Sequence, residues 1–61
     1  MQKLKIVFED LSAIDVSLTD AQIDEFHNWL RFANRSDVWI IPGLNREILR
    51  GDIARFETEA D

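Results

Sequence analysis

The hydrophobic period of this chain switches from strand to helix at Leu18-Thr19, and that switch limits its folds more than any other feature. Before it, Leu4, Ile6 and Phe8 alternate with Lys3, Lys5, Val7 and Glu9, and Ile14, Val16 and Leu18 alternate with Asp15 and Ser17. A period of two is the pattern of a half-buried strand. The two runs are separated by Glu9-Asp10-Leu11-Ser12, a connection short enough for a β-hairpin.

After the switch the period becomes helical. Thr19 is placed to act as N-cap, with Gln22 three residues on to complete a capping box. Leu18 and Ile23 stand where a hydrophobic staple would fix the angle at which the chain enters the helix. The helix is expected over residues 20–33, with Asn34 as a left-handed stop. Asp20 sits at the positive end of its dipole and Arg31 and Arg35 near the negative end. At about 100° per residue, Ile23, Phe26, Leu30 and Ala33 form one core stripe. Trp29 lies on the edge of that stripe and Phe32 nearly opposite its centre.

Residues 37–41 are rich in β-branched and aromatic side chains and are expected to form a strand. Pro42-Gly43 is a preferred central pair for a type II turn. Residues 46–49 are expected to form a short return strand, Gly51-Asp52 to break it, and residues 53–58 to form a last strand ending in an acidic tail, with Glu57, Glu59 and Asp61 among the last six residues. The order β-β-α-β-β, with room for a fifth short strand, predicts an α+β fold. One small antiparallel sheet would carry one amphipathic helix packed on one face. The whole chain, 1–61, makes one small domain.

Both faces of Val38-Trp39-Ile40-Ile41 are apolar, and a single helix covers one face of a sheet. Periodicity leaves open which pair points inward. Large open apolar faces are uncommon on stable monomers. Trp29, Phe32, Trp39, Ile41 and Val7 are therefore the residues expected at an interface. Size points the same way. A chain of 61 residues hides only about 60% of its unfolded surface. With no cysteine to form a disulfide and no cluster of metal ligands, oligomerisation is the remaining support.

Catalytic chemistry has little to build on. His27, the only histidine, shares a helix flank with Asp20, Asp24 and Arg31, which is the spacing of an ordinary charge ladder. The hydroxyls Ser12, Ser17, Ser36 and Thr58 have no histidine at a familiar spacing, and two glycines cannot cradle a phosphate. No catalytic residue, metal or cofactor is expected. Arg50-Gly51-Asp52 spells a cell-adhesion tripeptide, but a turn explains it better.

Charge is unevenly spread. Residues 6–30 hold six acids and no Lys or Arg, whereas residues 31–55 hold five arginines, within a net charge of −5. Those arginines could serve nucleic acid in an alternative reading, yet the acidic balance opposes phosphate binding. Pairing with Asp37, Glu47, Asp52 and Glu57 across strands is the simpler role. The longest apolar run, 38–41, is far short of the roughly 20 residues that span a bilayer, so a cytoplasmic protein is expected. The functional expectation is a non-catalytic interaction module: a homodimeric acidic regulator or inhibitor that binds another protein. A structural subunit of a larger assembly is the remaining alternative.

Overall fold

The computed structural model describes residues 1–60; Asp61, counted above in the acidic tail, lies outside the described residues. Five strands and one helix follow in the order β1 (Gln2–Phe8), β2 (Ala13–Leu18), α1 (Asp20–Phe32), β3 (Val38–Ile41), β4 (Arg46–Leu49) and β5 (Ile53–Ala60). A single 3-10 turn, Arg50–Asp52, stands between the last two strands. The class is α+β, as the periodicities predict. The fifth strand is present, and the strands divide into two antiparallel sheets rather than one. The first has the order β2-β1-β5 and the second is the β3-β4 hairpin.

The alternation in β1 puts Leu4, Ile6 and Phe8 inside, and the register carries that face across the sheet. Leu4 lies between Val16 and Thr58, and Ile6 between Ile14 and Phe56. The other face holds Lys3 between Ser17 and Glu59, Lys5 between Asp15 and Glu57, and Val7 between Ala13 and Arg55. Neighbours directly across a ladder interact, and opposite charges there are favourable. The open face of this sheet is thus polar, and half-buried Val7 is its one large apolar side chain. That corrects the expectation of an open apolar face around Val7. Ala54 is the extra residue of a bulge, since Val7 pairs with Arg55 and Phe8 with Ile53.

Helix α1 begins as the sequence dictates. The Thr19 hydroxyl accepts from the Gln22 N–H at 3.2 Å, and the Thr19 N–H donates to the Gln22 side-chain oxygen at 2.9 Å. Leu18 and Ile23, the staple pair, are both buried. Gln2 donates to Asp20 at 2.9 Å, tying the helix start to the end of the sheet where β1 begins. At the other end Arg50 Nε donates to the Leu30 carbonyl at 3.4 Å, so the helix finishes beside the start of β5. Its stop differs from the expected one. Ala33 caps in an extended conformation (φ −73°, ψ 140°), and Asn34 is not left-handed; its N–H instead donates to Asp37 Oδ2 at 2.9 Å.

The core comprises Leu4, Ile6, Phe8, Leu18, Ile23, Phe26, Ile41, Ile48 and Ile53. Each such aliphatic or aromatic side chain contributes about 1.5–3 kcal/mol when taken out of water. Leu30, Trp29 and Trp39 close over its edge, half-buried. In the β3-β4 turn Gly43 adopts φ +88°, and the Leu44 N–H reaches the Ile41 carbonyl at 3.3 Å, as a type II turn with Pro42-Gly43 at its centre requires.

Candidate protein-interaction surface

Hairpin register decides which apolar residues remain outside. Trp39 pairs with Ile48 and Ile41 with Arg46, so these share one face; Val38 pairs with Leu49 and Ile40 with Glu47, and these share the other. Ile41 and Ile48 are buried in the core. Trp39 joins an aromatic cluster with its ring centroid 5.1 Å from Phe26 and 6.2 Å from Trp29. The opposite face is left to solvent: Val38 is 51% exposed and Ile40 57%, with Leu49 beside them and Leu44 exposed at the turn. Three aliphatic side chains on a two-stranded ribbon make an apolar platform, with exposed Glu47 on the same face.

The five residues expected at an interface are thereby separated. Ile41 is core, and Trp39 is half-buried against the helix; Val38 and Ile40 take the exposed positions assigned to them. Trp29 also turns inward, with Phe26 at 6.1 Å as well as Trp39. Phe32 is 77% exposed, with the Arg31 guanidinium 5.9 Å above its ring. Val7 is half-buried on the polar sheet face. Leu49 was not anticipated. Its signal lay in the hairpin register, which sets it against Val38 once Pro42-Gly43 fixes the turn.

The arginines do not form the cross-strand pairs expected of them. Arg46 faces Ile41 in the ladder and lies 5.6 Å over the Phe8 ring, and Arg55 faces Val7. Arg35, Arg50 and Arg55 do come together around the start of β5. There they rim two adjoining clefts of ≈ 270 and ≈ 300 Å³, floored by Leu30, Ala33, Ile53, Ala54 and Phe56. Glu9 also lines this region. A third cleft, of ≈ 290 Å³, lies between the β1-β2 turn and β4 and includes Glu9, Asp10, Glu47 and Asp52. At its mouth the Ser12 hydroxyl (2.6 Å) and Ser12 N–H (3.0 Å) both donate to one Asp10 oxygen, and these bonds hold that carboxyl below the usual aspartate range.

His27 is exposed on its helix flank with its ring 5.5 Å from Phe56. Among the described residues no three His, Cys, Asp or Glu side chains are grouped to hold a metal, and no helix is long and apolar enough to cross a membrane. Comparison with known protein families, characterised proteins and solved structures finds no match, so the surface alone carries the functional argument.

Proposed function

We propose that this chain is a non-catalytic protein-interaction module of the cytoplasm, one that self-associates and regulates or inhibits another protein by binding it. The observation that supports this reading most directly is the exposed Val38-Ile40-Leu49 face of the β3-β4 hairpin. A 61-residue chain has few large apolar side chains to place, and burying them is its main source of stability. Keeping three on one outward ribbon costs core volume. Contiguous exposed apolar surface of this kind marks contact sites.

The charge distribution sets the partner's character. A net charge of −5 favours a partner whose surface around an apolar groove is basic, because complementary potentials speed encounter. The grouping of Arg35, Arg50 and Arg55 supports a second reading, binding to nucleic acid. Arg50 is already engaged with Leu30 there and Glu9 stands among them, which favours the protein partner.

A photo-crosslinking residue at position 40, compared with one at Ser17 on the polar sheet face, tests the reading in cells of the native host. Labelling of one protein from position 40 alone is expected. The purified partner should then bind Ile40→Asp at least tenfold more weakly than the parent. Equal labelling from both positions would remove the hairpin face from consideration. A steep loss of oligonucleotide binding with added salt would instead favour the second reading.

A further inference from the structure

Strand β5 is hydrogen-bonded to β1 on one side only, and among the described residues its other edge has no partner in either sheet. It is eight residues long, and after Ile53 every described residue in it is exposed. It contains no proline, and its inward positions Phe56, Thr58 and Ala60 carry no charge. Edges that remain single usually carry proline, an inward charge or a bulge to repel further strands. This one has its bulge at Ala54, near its start, and from Arg55 onward carries none of these.

We infer that β5 pairs antiparallel with β5 of a second copy about a two-fold axis at Phe56, giving one six-stranded sheet of order β2-β1-β5-β5-β1-β2. The inference rests on the proposed association module and gives its self-association a surface and a register. Charge selects the register. An axis at Phe56 sets Arg55 against Glu57 of the second copy, and Glu57 against its Arg55, on the same face. An axis at Arg55 or Glu57 sets a like charge on its own copy. An axis at Thr58 sets Glu57 against Glu59 twice. Only the Phe56 axis makes every charged pair complementary, and like charges directly opposite are unfavourable.

The same axis brings Phe56 against its copy on the inner face. Phe56 is 40% exposed, with Phe26 edge-on behind it at 5.4 Å, so a second ring would extend an existing aromatic stack. Of the competing edges, β3 and β4 are four residues long, and β2, six residues long, carries Asp15 as its only charge and so has no complementary pair to fix a register. Pairing of β5 with β5 is also self-limiting. A two-fold contact closes after two copies, whereas pairing β5 with β2 would propagate as a filament.

The test uses the full chain in about 0.15 M salt, where charges beyond about 8 Å are screened. By sedimentation equilibrium the parent should be a dimer that dissociates on dilution. Arg55→Glu opposes two carboxylates at both contacts and Glu57→Arg opposes two guanidinium groups, so each variant alone should dimerise roughly tenfold more weakly. Mixed in equal amounts, the two variants place one carboxylate against one guanidinium at both contacts, and dimer should return.

Circular dichroism of each variant separates lost pairing from lost fold. If either fails to fold, a cysteine in the otherwise cysteine-free chain gives an independent measurement. Phe56→Cys should cross-link to its own copy under mild oxidation, while Thr58→Cys, which faces Ala54 of the second copy, should not. A monomeric parent would overturn the pairing and leave the hairpin's binding of a different protein to its own labelling experiment. A parent dimer insensitive to both charge reversals, or linked equally from positions 56 and 58, would overturn the β5 register while self-association stood.

Discussion

Trp29 and Trp39 stack with ring centroids 6.2 Å apart and planes 26° from parallel, joining helix α1 to strand β3. The two sheets share no ladder, so this pair, with Phe26 beneath both rings, is a principal tie between the hairpin and the rest of the core. Trp29 therefore helps to hold the β3-β4 hairpin in place although it belongs to another element.

Trp29 and Phe32 should behave differently when truncated. Full burial of an aromatic is worth about 3–5 kcal/mol, and Trp29 is half-buried, so Trp29→Ala should cost about 2 kcal/mol. Phe32→Ser should change stability by no more than about 0.5 kcal/mol, as for most surface positions. Urea denaturation midpoints compare the two directly, and equal losses would mean that Phe32 is covered in solution.

The helix supplies a graded series. Thr19→Ala should cost about 1 kcal/mol through loss of the capping box. Phe26→Ala, at a fully buried position touching Trp29, Trp39 and Phe56, should cost about 3–5 kcal/mol. Leu30→Ala should fall between them, since Leu30 is only half-buried. Thermal or urea unfolding that ranks Leu30 above Phe26 would move the centre of the core toward the helix end.

The two glycines are needed for different reasons, and asparagine distinguishes them. Gly43 has open space around it but a left-handed φ of +88°, which asparagine tolerates better than most residues. A Cβ at Gly51 would stand 3.0 Å from the Arg35 carbonyl oxygen, the same oxygen that accepts the Gly51 N–H. Gly43→Asn should therefore be nearly neutral, while Gly51→Asn should cost about 1–3 kcal/mol by overpacking. A larger loss at Gly43 in the same unfolding experiment would contradict this division.

Asp10 supplies a pH signature. The Ser12 hydroxyl and N–H favour its ionised form, so its folded-state pKa lies below the unfolded value. The resulting stabilisation is fully present above the unfolded pKa and is lost as pH falls through the folded one. In an NMR titration Asp10 should ionise at lower pH than an ordinary aspartate. Ser12→Ala should move it up, and an unchanged midpoint would mean that the Ser12 hydroxyl bond does not persist in solution.

Much of the architecture was legible because local signals agreed. The Leu4-Ile6-Phe8 alternation, the Thr19 capping box and the Pro42-Gly43 turn each act within a few residues of themselves. The pairing of β1 with β5 was not legible, since Gln2 and Ala60 meet only through the tertiary fold. Nor could a period of two choose between Val38-Ile40 and Trp39-Ile41, because both pairs are apolar. The choice is made by Trp29 on another element, whose ring takes Trp39 and so turns Ile41 inward and Ile40 out.

The central position of β1 also orders events in time. Its first edge is satisfied by β2 across a four-residue connection, a local closure that forms early. Its second edge waits for β5, contributed from the far end of the described chain. Loop-closure entropy makes that second zipping late and rate-limiting. Substitutions that weaken the β5 ladder should then mainly slow folding, as losses of contacts made in the transition state do. Until β5 arrives, β1 itself presents an unsatisfied edge, and concentrated refolding is when copies of this chain would most readily exchange strands.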